Sequence, residues 1–192
     1  MNRTVVSIIT ISTLLVGCNA GGKITILDVS SPDITIKSSF KYGLYRFSDM
    51  NNITVMLYDG KLTKPDEALV IHTQWIPTNA STPITAEATN ATVRYINFSG
   101  DDKKNVVVYS DAGYLYPNSP PGQDCLDASV WQANLRLTDS NKGSEGYFGQ
   151  AQLRGNFTAK YDPGAMNQAL NQLKRRVGRM LGNPPYVRTD NQ

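Results

Sequence analysis

The sequence predicts a mainly β protein, an antiparallel β-sandwich of about eight or nine strands with a C-terminal α-helix packed on it. Three observations carry this prediction. Short runs of alternating apolar and polar residues, separated by turn residues, follow one another from residue 23 to residue 161. No helix-length pattern interrupts them, which argues against a parallel α/β sheet. At residue 162 the apolar spacing changes to threes and fours, which is the period of a helix.

The first half of the alternating region divides into short strands at turn residues. Ile24 and Ile26 share one face of the first run, and we expect Phe40, Tyr42 and Leu44 to share one face of a later run. A side-chain period of two places such residues on the same face of a sheet. The predicted strands of this half are residues 23–29, 34–37, 40–47, 53–58 and 68–76.

The second half contains longer runs. Residues 84–98 have the length of two strands or of one bulged strand, and Gly113 predicts a bulge within the run 106–116. The runs 129–138 and 147–161 complete the series. In the run 129–138, the alternation predicts that four side chains share one face, opposite Val130: Trp131, Ala133, Leu135 and Leu137.

Residues 162–182 predict an amphipathic helix. Asp162 suits the N-cap and Pro163 the first helical position, while Gly182 suits the C-terminal stop. A single stripe carries the apolar residues Met166, Ala169, Leu170, Leu173, Val177, Met180 and Leu181. This stripe favours packing of the helix against the sandwich, where it would close an end or cover a sheet edge.

Four basic residues occupy the second half of this helix: Lys174, Arg175, Arg176 and Arg179. Positive charge at that end suits the helix dipole. In the alternative to a purely structural role, these four residues form a contact surface for anionic lipid or for an acidic envelope polymer.

The N-terminus has the features of an export signal. Residues 1–17 combine a charged start with a short apolar stretch, too short to span a bilayer, and small residues follow before Cys18. The tetrad Leu15-Val16-Gly17-Cys18 resembles the lipobox of bacterial lipoproteins. The resemblance implies that Cys18 is lipidated and becomes the first residue of the mature chain. A plain secretory signal with an incidental Cys18 is the alternative.

Lipidation would determine where the protein resides and what happens to the second cysteine. Residues 18–22 would then be the lipidated Cys and a short tether, before the sandwich domain of residues 23–161. Asn19, where an Asp often retains such proteins in the inner membrane, favours the outer membrane in a host that has one. With Cys18 acylated, Cys125 has no partner, and a Cys18–Cys125 disulfide requires that lipidation fails.

The sandwich region also resembles known proteins in part. The segments TNATVRYINFSG, VVVYSDAGYLYP, VWQANLRLTDS and LRGNFTAKYD are similar to segments of uncharacterised lipoproteins of planctomycete bacteria. That group has no established activity, so the resemblance implies no functional residue.

The sequence lacks the common catalytic and cofactor motifs, and we expect no cofactor and no metal. His72 is the chain's one histidine, and we expect it to face solvent on a strand, opposite Leu69 and Ile71. The loop DSNKGSE at residues 139–145 has oxygen ligands at alternate positions, but Lys142 and a missing sixth-position Gly favour a hairpin turn over a calcium loop. A net charge of +3 is too small to indicate a nucleic-acid partner.

These observations predict a membrane-anchored bacterial envelope lipoprotein that binds, without catalysis, an envelope protein or an anionic polymer, or serves a structural role. It would face the periplasm or the cell surface. The alternatives are a carboxylate-dependent envelope hydrolase, which needs two acids in one cleft, and a self-associating surface-layer component.

A further candidate contact patch consists of Tyr114 and Tyr116 with Pro117, Pro120 and Pro121. Residues 183–192 are expected to be a frayed tail.

Overall fold

The structure is a computed structural model that describes residues 18–31, 33–49, 51–74, 89–141, 144 and 146–182. These residues form nine strands, a short 3₁₀ turn at Asp101–Lys103 and one α-helix. The strands are β1 (Gly21–Asp28), β2 (Thr35–Phe40), β3 (Tyr42–Phe47), β4 (Ile53–Lys61), β5 (Lys64–Thr73), β6 (Ala91–Ser99), β7 (Asn105–Pro117), β8 (Cys125–Ser140) and β9 (Gln150–Tyr161), and the helix is α1 (Pro163–Leu181). The predicted signal peptide and the predicted tail lie outside the described residues.

The strands close into a barrel, so the predicted β-sandwich is wrong. Strands β3 to β9 pair in chain order, and β9 returns to pair with β3, which closes a barrel of seven strands. The closing pair is parallel, whereas the successive pairs are antiparallel. The period-two alternation along each strand is the same in a sandwich and in a barrel. The two folds differ in which distant strands pair, and the sequence pattern does not contain that information.

The two remaining strands, β1 and β2, form a hairpin attached to β9. Strands β1 and β3 share one edge of β9. Residues 151–158 of β9 pair with β1, and its residues Lys160 and Tyr161 pair with β3. The chain bends at Lys41 between β2 and β3, and the alternation changes phase there. Phe40 is buried but Tyr42 is 48% exposed. Tyr42 and Leu44 both lie on the outer face, so the prediction is wrong only for Phe40, which points inward.

Side chains fill the interior of the barrel. Alternate residues of each strand point inward, as Val55 and Leu57 do in β4. Tyr45, Tyr95 and Tyr109 lie in the same cluster, and none of them is more than 1% exposed. A small barrel packed in this way holds side chains in the space where a wider one would hold a ligand.

Helix α1 covers part of the outer wall. The residues of β4 to β7 that point outward include Met56, Val70, Phe98 and Val108, and they form a second apolar cluster with the helix stripe. The predicted helix ends are confirmed, since Asp162 accepts a hydrogen bond from the Ala165 backbone N–H at 2.8 Å and Gly182 has a φ of 68°. The stripe residues Met166, Ala169, Leu170, Leu173 and Val177 are buried.

Strands β7 and β8 both contain bulges. The bulge predicted at Gly113 is confirmed, because the β7–β8 register shifts between Ser110 and Tyr114. A Cβ on Gly113 would lie 2.5 Å from the Cβ of Ala133, so the two backbones approach closely at this point. In β8 the register against β9 shifts between Val130 and Ala133.

The β8 bulge removes Trp131 from the predicted common face of this strand. Val130, Ala133 and Leu135 are all buried, whereas Trp131 is 50% exposed and Leu137 is 42% exposed. A bulge adds a residue to one strand and reverses the inside–outside phase beyond it. Trp131 therefore lies on the outer surface, although simple alternation places it with Ala133.

Candidate functional site

A polar cleft lies on the outer wall where helix α1 begins. Its volume is about 870 Å³. The side chains that line it come from β3, the β3–β4 turn, β4, the end of β5 with the residue after it, and the first two turns of the helix: Arg46, Phe47, Ser48, Asp49, Asn52, Thr54, His72, Gln74, Pro163 and Asn167. The predicted strand residues 75 and 76, which follow Gln74, lie outside the described residues.

Strand register brings the polar side chains of the cleft together. Arg46 pairs with Thr54, and Thr54 pairs with His72, so the three residues lie in one row across β3, β4 and β5. The Thr54 hydroxyl and the His72 Nδ1 are 3.0 Å apart and share a hydrogen bond. Arg46 donates to the Asn167 side-chain oxygen at 2.6 Å, which ties the barrel to the helix.

His72 lies on the outer face opposite the buried Leu69 and Ile71, as predicted, but it is half-buried in the cleft. Its neighbour Thr54 is only 8% exposed. A hydroxyl nucleophile must reach its substrate, so the Thr54–His72 pair is poorly placed for nucleophilic catalysis. The arrangement suits binding through hydrogen bonds.

The carboxylate of Asp49 is hydrogen-bonded within its own turn. Its carboxylate accepts hydrogen bonds from the Asn52 side chain at 2.6 Å and from the backbone N–H groups of Asn51 and Asn52 at 2.8 and 3.0 Å. These hydrogen bonds, led by that of the Asn52 side chain, hold the pKa of Asp49 below its ordinary value. Among the described residues that line the cleft, Asp49 is the only carboxylate. A two-carboxylate hydrolase needs a second one and a general acid with a raised pKa.

A second polar group lies at the opposite end of the barrel. Glu67 accepts hydrogen bonds from the hydroxyls of Ser38 and Tyr95 at 2.8 and 2.9 Å. Burial, and then the nearby Glu67 charge, raise the pKa of Tyr95. Because the carboxylate has two internal donors and ties β2 to β5 and β6, its role in the described structure is to hold strands together.

The predicted basic surface of α1 divides into two parts. Arg175 and Arg179 are exposed and Lys174 is half-buried. Arg176 instead turns towards the barrel, donates to the backbone oxygens of Pro65 at 3.2 Å and Lys103 at 3.1 Å, and lies 4.0 Å from the ring centroid of Phe98. Burial lowers the pKa of its guanidinium group. Arg176 is therefore a packing residue, which leaves Lys174, Arg175 and Arg179 of the predicted contact surface.

These basic residues lie far from the end of the barrel that carries Cys18. Cys125 and Lys160 pair at that end, and the helix begins just beyond it. Arg175 follows the N-cap by thirteen residues, or about 20 Å along a helix. This distance exceeds the screening length of about 8–10 Å at physiological ionic strength.

Cys18 and Cys125 are paired as a disulfide in the structure, with a Cα–Cα distance of 5.9 Å. Cys18 stands three residues before β1, and Cys125 is the first residue of β8. The pairing identifies Cys125 as the neighbour of Cys18, a relation that the sequence left open. A disulfide and a thioether to a diacylglyceryl lipid use the same Cys18 sulfur and exclude each other.

The grouping of Arg46, Thr54 and Asn167 into one cleft was not predicted from the sequence. Each of them is an ordinary polar residue on a strand or a helix, and no motif links them. The alternation of their strands predicts that Thr54 and His72 point to the same face as each other's outward neighbours, away from the core. The β3–β4 register and the docking of α1 could not be predicted from the sequence.

Among the described residues, no three His, Cys, Asp or Glu side chains are grouped so that they could hold a metal ion. In the same part of the chain, no helix has both the length and the apolar character of a membrane span. No protein-family model, no curated protein and no solved structure matches this chain.

Proposed function

We propose that this protein is a bacterial envelope lipoprotein, anchored by lipid at Cys18, whose barrel binds an envelope protein or polymer without catalysing a reaction. The lipobox-like tetrad Leu15-Val16-Gly17-Cys18 supports the anchor. Two or more acyl chains hold a protein at a membrane firmly, whereas one chain does so only marginally.

Acylation precedes any disulfide in this proposal. Export proceeds from the N-terminus, so Cys18 reaches the membrane before Cys125, which lies 107 residues further along the chain. The sulfur of Cys18 is then consumed before the barrel has folded. The thiol of Cys125 is left beside the anchor at the same end of the barrel.

The observation that carries the binding role is the filled interior of the barrel. Three tyrosines and the inward-facing aliphatic side chains occupy it. Binding is thus confined to the outer surface, where a large partner has access. The cleft beside His72 supports the same reading, because its Thr54 hydroxyl is buried and its Asp49 carboxylate is occupied by the turn.

Detergent phase partition of the native protein, followed by mass analysis of its N-terminal peptide, tests the anchor. We expect the wild-type protein in the detergent phase with acyl chains on Cys18, and Cys125 reactive towards a maleimide without prior reduction. Cys18→Ala should remain an unprocessed precursor or be released from the membrane.

Cys125→Ala is the matched control, because it removes the other thiol but leaves the tetrad intact. It should partition like the wild type. A wild-type protein in the aqueous phase, with Cys125 unreactive until a reductant is added, would show that Cys18 forms the disulfide and would overturn the anchor.

A further inference from the structure

Two exposed aromatic rings stack on each other on the wall that α1 does not cover. Tyr116 of β7 is 41% exposed and Trp131 of β8 is 50% exposed. Their ring centroids are 6.2 Å apart and their planes differ by 20°. Of the predicted patch at residues 114–121, Tyr116 belongs to this pair, whereas Tyr114 is buried. We call Tyr116 and Trp131 the aromatic pair.

The bulge in β8 turns Trp131 outward at a cost in backbone strain. Gln132, the next residue, has a φ of 48°, in the left-handed region that residues other than glycine rarely adopt. Backbone strain at an exposed position persists only where the surrounding structure holds it, and it is concentrated at functional sites. Here the strained residue directly follows the exposed tryptophan.

Unengaged amide side chains surround the aromatic pair. Four of the exposed residues near Trp131 in β8 and β9 are amides: Gln132, Asn134, Gln152 and Asn156. Within the part of the chain that the structure describes, no hydrogen bond engages these four side chains. A primary amide both donates and accepts hydrogen bonds, as the hydroxyl groups of a sugar do.

We propose that the aromatic pair and the amides around it form a binding surface for a polysaccharide chain, an inference that rests on the envelope location given above. The C–H faces of sugar rings stack on aromatic faces, and the faces of Tyr116 and Trp131 that remain open to solvent would hold sugars of one chain. The amides bind the hydroxyl groups at the edges of those sugars. Arg154, exposed on β9 opposite the bulge, pairs with the carboxylate of any acidic sugar.

The surroundings of the aromatic pair favour a sugar over a lipid or a protein. Trp131 lies six residues along β8 from Cys125, or about 20 Å, so it stands away from the anchored end. A specific protein interface buries about 800 Å² on each partner around an apolar core. Here the exposed residues next to the aromatic pair in β8 and β9 include four amides and Arg154, which are polar.

The test uses the mature protein in detergent and a resin carrying the total polysaccharide extracted from the envelope of the cells that make it. We expect the wild type to be retained. Trp131→Ala and Tyr116→Ala should each weaken retention at least about ten-fold, whereas Trp131→Phe, which keeps a ring, should recover most of it. Loss of retention at high salt or in Arg154→Gln would identify an acidic polysaccharide, and salt-resistant retention a neutral one.

Tyr42→Ala is the matched control, since Tyr42 is also exposed and stacks on Tyr58 with the ring centroids 5.0 Å apart. Tyr58 packs against the helix-side cluster, so that pair belongs to the other wall. Retention of Tyr42→Ala at the wild-type level supports the proposal. Absence of wild-type retention, or equal retention of wild type and Trp131→Ala, would overturn it.

The two proposals fail separately. The resin measures binding by purified protein and does not depend on lipid at Cys18. If the protein partitions into the aqueous phase but is retained on the resin, the lipid anchor is contradicted and the polysaccharide-binding surface is supported. If the protein is lipidated but is not retained, the anchor is supported and the polysaccharide-binding surface is contradicted.

Discussion

The two outer walls of this barrel are built differently. On the wall formed by β4 to β7, outward positions such as Met56, Val70 and Phe98 are apolar, and α1 buries them. On the wall formed by β8 and β9, outward positions such as Asn134 and Gln152 are polar amides in contact with water. The first wall stabilises the fold. The second wall carries Trp131, which is 50% exposed.

Aromatic and basic residues occur on both walls, but they are packed within the protein on one wall and exposed on the other. Phe98 and Arg176 contact each other under the helix and have partners within the protein. Trp131 and Arg154 are exposed on the other wall. Residue type therefore does not distinguish a packing residue from a contact residue here, whereas the burial of the wall does.

The largest difference between the walls should appear on truncation of a leucine. Leu173→Ala removes a side chain that is 1% exposed between α1 and the barrel, and it should lower the free energy of unfolding by about 2–5 kcal/mol. Leu137→Ala, at a position that is 42% exposed, should change it by less than about 0.5 kcal/mol. Urea unfolding measures both. Equal losses would show that the helix does not stabilise the barrel.

A smaller difference should appear between neighbouring arginines of the helix. Arg176→Gln breaks two hydrogen bonds to backbone oxygens and the contact with Phe98, and it should cost about 1–3 kcal/mol of unfolding free energy. Arg175→Gln removes the same charge from an exposed position and should cost less than about 0.5 kcal/mol. The denaturation midpoints of the two variants measure the contrast. Equal midpoints would contradict the packing role of Arg176.

The strain beside Trp131 predicts a stabilising substitution on the uncovered wall. Gln132→Gly removes a left-handed side chain and should raise the free energy of unfolding by about 1 kcal/mol. Gln152→Gly, at an exposed strand position of the same wall, should lower it by about 0.5–1 kcal/mol. Thermal unfolding of both variants shows whether each substitution raises or lowers the free energy of unfolding. A loss of stability in Gln132→Gly would mean that this residue is not strained.

The smallest effect concerns the interior that both walls enclose. Burial raises the pKa of Tyr95 above the ordinary value of 10.0. The unfolded chain therefore ionises first as the pH rises, so this contribution to stability is complete well below pH 10 and is lost as the pH rises through and above that value. Between pH 8 and pH 10 we expect a loss of about 0.4 kcal/mol from this group, which Tyr95→Phe should abolish. Urea titrations at the two pH values test this, and an unchanged loss in Tyr95→Phe would contradict it.

Local features of the fold could be predicted from the sequence. The N-cap at Asp162, the stop at Gly182 and the buried stripe between them follow from helix rules that act over a few residues. The inward positions Ile24 and Ile26 and the bulge at Gly113 follow from strand rules of the same range. These predictions held because neighbouring residues determine them.

Features that depend on pairing between distant strands could not be predicted. The closure of β3 on β9 changes the predicted sandwich into a barrel without altering the alternation of either strand. The exposure of Trp131 depends on a bulge for which its own strand carries no glycine or proline signal. The cleft beside His72 needs both the β3–β4 register and the docking of α1. The least predictable positions are thus those that the proposed binding surfaces use.

Photocrosslinking in intact cells tests most directly the claim that the uncovered wall is the one that meets a partner. A benzophenone amino acid would replace Gln152 on that wall or, in a matched variant, Arg175 on the exposed face of α1. We predict that the probe at residue 152 yields high-mass products that periodate shortens, and that the probe at residue 175 yields none. Crosslinks from residue 175 alone would contradict the claim and would indicate that the basic helix is the contact surface.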